Sequence, residues 1–163
     1  MLYPEATRDR LIAVVRNNGY KYFEEPITLA SGEESHDFLD CKRALQNGDD
    51  LKVASQSILD VAQSLGIEFD AVGGLTLGAD PLTFGVALLS GAKWFVVRKQ
   101  TKGRGTNKRI EGCELVPGMR VLLLDDVATT GGSILLAYDE IVKAGAEVVL
   151  AMVLADRGDL AAP

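Results

Sequence analysis

Residues 121–133 read VLLLDDVATTGGS, and their types and order suit the chemistry of a phosphorylated sugar. Asp125 and Asp126 are adjacent carboxylates. Val127, Ala128, Thr129, Thr130, Gly131, Gly132 and Ser133 follow, a run of small residues and hydroxyls. A loop of this composition ahead of a helix turns backbone N–H groups and hydroxyls toward one point. That is an anion site, best filled by phosphate. Glycine lets the backbone approach such a ligand closely. The two carboxylates cannot also bind phosphate; they suit sugar hydroxyls or a metal ion.

Two elements must position these groups. The four apolar residues 121–124 read as a short buried strand. Residues 134–144 have helical spacing, with Ile134, Tyr138, Ile141 and Val142 on one face. An ordinary strand-to-helix turn, with Ser133 or Thr130 as N-cap, would explain either feature alone. It does not explain the acidic pair and the small-residue loop together in this order.

Composition narrows the class. The chain has 163 residues, enough for one α/β domain with a core, and its 47% hydrophobic and 25% charged residues are ordinary for a soluble globule. No apolar run approaches the length of a membrane span. MLYPEATRDR does not read as a signal peptide. Cys41 and Cys113 have no metal-ligand spacing, and reduced thiols fit a cytoplasmic location. His36 is the only histidine, which rules out a multi-histidine zinc site, and no nucleophile-elbow motif accompanies it. The net charge of −6 disfavours a nucleic-acid partner. The stretch 98–109, RKQTKGRGTNKR, nevertheless holds six of the 17 basic residues and no acid. A basic loop on an acidic body points to a local polyanion partner.

Along the chain, 7–17 reads as a helix with Thr7 as N-cap and Gly19 as stop. Residues 27–29 and 37–41, joined by a turn at 30–35, suit a hairpin above the main sheet. A second helix opens at Asp49 or Asp50 and runs to Leu65. Residues 69–73 form a buried strand, 74–80 a glycine-containing loop, and Pro81 suits the first turn of the next helix. Residues 93–97 form a third strand, 98–112 a polar loop, and 148–154 a last strand. The alternation from residue 49 onward predicts parallel βαβ units with right-handed crossovers. Loops 74–80, 98–112, 125–133 and 155–159 then converge at the carboxyl ends of the strands, where ligands bind in such sheets. Gly73, Gly74 and Gly78 read either as turn glycines or as points of close backbone approach.

The 121–133 pattern resembles the phosphoribosyl-pyrophosphate (PRPP) signature of type I phosphoribosyltransferases. The resemblance extends over nearly the whole chain. TLASGEESHDFLD, with Leu29, Ser31, Gly32 and Ser35, looks like the orotate phosphoribosyltransferase segment. FVVRKQTKGRG is similar to that family's Arg-Lys-x-x-Lys-x-His-Gly loop and supplies Arg98, Lys99, Lys102 and Gly105. VGGLTLGADPL resembles its pyrophosphate-side loop, and VLADRGD places Arg157 where the family has an arginine near the pyrimidine. Arg104 stands where that family's loop usually has histidine. Gly78 and Ala30 stand where many members have lysine.

The resemblance implies one phosphoribosyltransferase domain over 1–163: a central parallel sheet flanked by helices, with 20–41 as a small N-terminal hood. It implies transfer of phosphoribose from PRPP to orotate, Mg²⁺ as cofactor with no metal-binding residue assigned, and a homodimer whose basic loop reaches the neighbouring site. Lys99, Lys102, Asp125 and Asp126 are then the catalytic residues. Arg98, Lys99, Lys102, Arg104, Asp125, Asp126 and 129–133 hold PRPP. Thr129, Arg157 and Phe38 meet the base. Transfer to another base, or a PRPP-sensing regulator without catalysis, remain as other readings.

Overall fold

The structure, a computed structural model, describes residues 5–29, 32, 34–100 and 108–158. Ala30, Ser31, Lys102, Arg104 and Gly105 lie outside the described residues.

The first described element is α1 (Glu5–Val14), which continues into one π-helical turn at Val15–Gly19. Thr7 is therefore inside the helix and does not cap it. The stop at Gly19 is as expected: a Cβ there would sit 2.8 Å from the Asp40 carbonyl oxygen. The hairpin is also present. β1 (Tyr20–Thr28) pairs antiparallel with β2 (Glu34–Leu39), Tyr20 opposite Leu39 and Thr28 opposite Glu34. Its first strand begins seven residues before the expected 27–29, because β1 is exposed along most of its length and shows no alternation to read. Its pairing is irregular between Tyr22 and Ile27, the stretch that contains Pro26, which has no N–H to give.

Residues 41–44, expected partly as strand, are instead the short helix α2 (Cys41–Ala44), capped by Asp40, whose carboxylate accepts the Arg43 N–H at 3.1 Å. Three longer helices follow along the chain: α3 (Gly48–Ser64), α4 (Asp80–Ser90) and α5 (Gly132–Lys143). Pro81 lies in the first turn of α4, and Gly91, at φ 75°, ends it.

The main sheet is built from β3 (Ala71–Leu75), β4 (Lys93–Val97), β5 (Ile110–Gly112), β6 (Arg120–Ala128) and β7 (Glu147–Asp156). The spatial order is β5-β4-β3-β6-β7. Three parallel ladders join the four strands β4, β3, β6 and β7, as the βαβ alternation requires. β5 corrects one expectation: the end of the polar 98–112 stretch turns back as an antiparallel edge strand, Val97 opposite Ile110. Ile110 packs against the core from there.

β6 is buried on both faces, which is why its sequence runs apolar without alternation. Leu122 and Leu124 join Val72, Ile58, Leu82 and Val86 on one side of the sheet. Val121 and Leu123 join Phe95, Val97, Ala137 and Ile141 on the other. Truncating Leu123 or Leu124 to alanine would cost roughly 2–5 kcal/mol through lost burial and the cavity left behind. The α5 stripe is narrower than its spacing suggested. Ala137 and Ile141 are fully buried, whereas Tyr138 and Val142 face outward.

Candidate active site

β6 continues through Ala128, so Asp125 and Asp126 lie within the strand and do not follow it as a loop. The ladder with β7 extends past them, pairing Asp125 with Val153 and Ala128 with Asp156. Asp125 Oδ1 accepts the Asp126 N–H at 3.0 Å, and Asp126 Oδ1 accepts the Val127 N–H at 2.9 Å. Asp125 is 5% exposed. Burial pushes its carboxyl up to about 6; the Asp126 N–H opposes this, the Asp126 charge adds to it, and the Lys99 charge opposes it. Two carboxylates packed this closely disfavour each other's charge. They are poised to accept hydrogen bonds from a polyol or to face a cation.

The expected anion loop lies immediately beyond. Gly131, at φ 74°, is the N-cap of the 12-residue helix α5, and no side chain caps that helix. The alternative in which Thr130 or Ser133 serves as the cap is thus not what the chain does. A left-handed cap needs glycine, and the first N–H groups of α5 stay open at the positive end of its dipole.

Thr76–Ala79 joins β3 to α4 beside the acidic pair. Thr76 Oγ1 donates to Asp80 Oδ2 at 2.7 Å. Gly73 and Gly74 correct an expectation, since both are fully buried strand residues. A Cβ on Gly73 would meet the Phe95 backbone and ring; one on Gly74 would meet the Leu124 carbonyl and Ala79. They serve sheet packing. Gly78 does lie at the site: a Cβ there would meet the Asp126 carboxylate and lie 3.2 Å from Asp125 Oδ1.

The basic stretch divides. Arg98 donates to Glu111 at 2.9 Å, Lys108 approaches Glu114 at 3.8 Å, and Arg109 approaches Glu140 of α5 at 3.9 Å. These three fasten the stretch to the body. Lys99 is exposed, and its charge is felt at Asp125. Lys102 and Arg104 lie outside the described residues.

Arg157 reaches the same sheet edge. Its backbone N–H donates to the Ala128 carbonyl at 2.8 Å, and Gly158 lies so close that a Cβ would meet the Thr129 carbonyl. Phe38 is on β2, half-buried, its ring edge-on to Phe23 at 6.4 Å. One neighbour was not marked by any local pattern: Lys42 of α2, whose ammonium donates to Asp126 Oδ2 at 3.3 Å. The two residues are 84 apart in sequence, so only the fold reveals the pair. Partial burial pulls this ammonium down, but Asp126 beside it outweighs that and leaves it above the ordinary lysine value.

Comparison with known proteins identifies the family. A family model described as a phosphoribosyl transferase domain matches residues 55–163. An orotate phosphoribosyltransferase of Pyrococcus abyssi is 39% identical over 150 residues, covering 92% of this chain and 81% of that protein. One from Streptomyces coelicolor is 41% identical over 136 residues, covering 80% and 73%. A crystal structure of Mycobacterium tuberculosis orotate phosphoribosyltransferase in complex with PRPP superposes with a TM-score of 0.74 at 32% identity, covering 92% of this chain and 83% of that one. The chain belongs to the type I phosphoribosyltransferase family, in the company of orotate phosphoribosyltransferases.

Proposed function

We propose that this protein transfers the 5-phosphoribosyl group of PRPP to orotate, giving orotidine 5-phosphate and pyrophosphate. The observation that carries the reading is the acidic pair at the end of β6, set directly before the uncapped N-terminus of α5. Together they make one site with a polyol end and a phosphate end. The relatives named orotate phosphoribosyltransferase select the base.

In the reaction, the bond from ribose C1 to the pyrophosphate oxygen breaks as the bond from C1 to the pyrimidine nitrogen forms. Positive charge grows on the ribose and negative charge on the leaving group, so the protein's task is positioning and electrostatics. Backbone N–H groups and hydroxyls of 129–133 hold the 5-phosphate. Asp125 and Asp126 accept hydrogen bonds from the ribose hydroxyls and face the growing positive charge. Lys99 and Lys102 stabilise departing pyrophosphate, with Arg104 adding a permanent charge. Arg98, paired with Glu111, fixes the start of that loop. Arg157, Thr129 and Phe38 meet the base. Orotate is already anionic, so the reaction needs no strong general base.

Mg²⁺ fits this chain as a cation carried by the substrate. Among the described residues no group of three or more histidine, cysteine or acidic side chains could cage a metal. Asp125 and Asp126 are the described carboxylates at this site that would attract such an ion. When bound, the ion neutralises pyrophosphate charge as it develops.

Residues 1–163 act as one domain, with 20–41 as the hood, and the active species is a cytoplasmic homodimer. No helix among the described residues is long and apolar enough to cross a membrane. The outer face of α4 supports the dimer: Phe84 and Leu88 stand exposed there, the Phe84 ring meeting that of the exposed Trp94 edge-on at 5.1 Å. A second copy on that stripe covers large apolar side chains that a monomer leaves in water.

The test is incubation with PRPP, Mg²⁺ and a panel of bases, measuring pyrophosphate release. Release with orotate, and little with uracil or purines, is the expected result. Preference for another base would leave the family and remove orotate. No release with any base, alongside tight PRPP binding, would favour a sensor.

A further inference from the structure

Lys42 stands outside everything the sequence motifs assign. It is the second residue of α2, which follows β2 with only Asp40 between. Its neighbours Cys41 and Ala44 are fully buried and Leu45 is 5% exposed. The helix is therefore anchored, and the lysine stem starts from a fixed place. Its side chain is 52% exposed and that of Asp126 14%, so the ion pair lies at the mouth of the acidic pair.

This contact completes the hold on Asp126. One carboxylate oxygen, Oδ1, takes the Val127 N–H, and the other, Oδ2, takes Lys42. Gly78 lies at the Oδ1 atom and carries no side chain; a Cβ there would clash with the Asp126 carboxylate. Position 78 thus faces the pair with no room for a side chain unless the carboxylate shifts. The charge arrives from α2 instead. A polyanionic substrate beside two carboxylates would otherwise meet repulsion that falls off only slowly within a partly buried site.

We propose that Lys42 is a positioning residue for PRPP: it neutralises and orients Asp126 from the hairpin side, so that the acidic pair can hold the ribose without repelling its phosphates. The proposal rests on the PRPP reading of the preceding subsection. It also makes the hairpin and α2 part of the PRPP site, and not only a cover for the base.

The experiment is calorimetric PRPP binding in the presence of Mg²⁺, with steady-state kinetics alongside, for wild type, Lys42→Met, Lys42→Arg, Gly78→Lys and the double variant Lys42→Met/Gly78→Lys. Lys42→Met should weaken PRPP binding about tenfold, the effect of one nearby charge, while KM for orotate stays the same. Lys42→Arg should regain most of the loss. In the double variant Asp126 is released from α2 and can give way to the new side chain, and a lysine at 78 should recover part of the affinity. Recovery in the double variant beyond any gain of Gly78→Lys alone is something that a purely structural role for α2 does not produce.

Unchanged PRPP affinity in Lys42→Met overturns the proposal. So does a loss that neither Lys42→Arg nor the double variant repairs. If the wild type binds no PRPP, the functional reading fails first and the proposal falls with it; that outcome is distinct from both others.

Discussion

Arg157 Nη2 donates to the Asp37 carbonyl at 3.4 Å, joining residues 120 apart in sequence. The contact is long and exposed, so it adds little stability. Its value is positional. It places a guanidinium between the hairpin that carries Phe38 and the segment that carries Thr129, at the carboxyl ends of β6 and β7.

A carboxylated pyrimidine leaving water at this spot needs a cation or several N–H donors. Arg157 offers a planar fork that can pair with carboxylate or carbonyl oxygens and stack on a ring. Lysine keeps the charge and loses the fork. Arg157→Lys should therefore raise KM for orotate strongly, by about tenfold or more, and leave PRPP affinity by calorimetry within a factor of about two. Equal losses for both ligands would place Arg157 in the sugar-phosphate part of the site instead.

Lys102 belongs to the stretch that follows β4, and in the proposed dimer it serves the neighbour's site. Lys102→Ala should lower kcat by roughly 10²–10³, because its charge matters most as pyrophosphate leaves, with a smaller rise in KM for PRPP. Asp126→Asn should lose activity through the other half of the site. Mixing the two inactive variants should restore measurable pyrophosphate release, since one of the two sites in a hybrid dimer then has both groups intact. Hybrids shown by mass spectrometry to have formed, yet inactive, would argue that each chain completes its own site.

Much of this site is legible in the sequence because its parts are contiguous. The acidic pair, the small-residue loop and the start of α5 all fall within 125–133, and the strand before them is marked by four apolar residues. Three other features are not legible, for different reasons. Lys42 meets Asp126 only through the fold, and nothing local to CKRA announces it. Gly73 and Gly74 look like loop glycines, but the pressure on them comes from Phe95 and Leu124 on neighbouring strands. Tyr138 and Val142 satisfy helical spacing within α5, yet the sheet accepts only the stripe through Ala137 and Ile141. Spacing identifies a helix and a candidate face, while the width of the buried stripe is set by the partner surface.

Asp125 gives the last test, because the group held for function should be costly for the fold. Its carboxyl is buried and titrates at about 6 in the folded chain, above the ordinary value of 3.8. The folded state therefore keeps its proton longer than the unfolded state does. Wherever the folded state binds more protons, stability falls as pH rises. Asp125 thus contributes fully below about pH 4 and loses that contribution as pH climbs through about 6. A neutral asparagine has no such loss, and it can still accept the Asp126 N–H through its amide oxygen. Asp125→Asn should be more stable than wild type by about 1–2 kcal/mol at pH 8, below the ceiling that a shift of about two units sets. The gap should close as pH falls toward about 4. Thermal unfolding across that range measures it, with a gain of a few degrees expected at the alkaline end. The same variant should lose most of its pyrophosphate release. A variant less stable than wild type at pH 8, with the deficit persisting at pH 4, would show that the Asp125 carboxylate supports the fold instead of straining it.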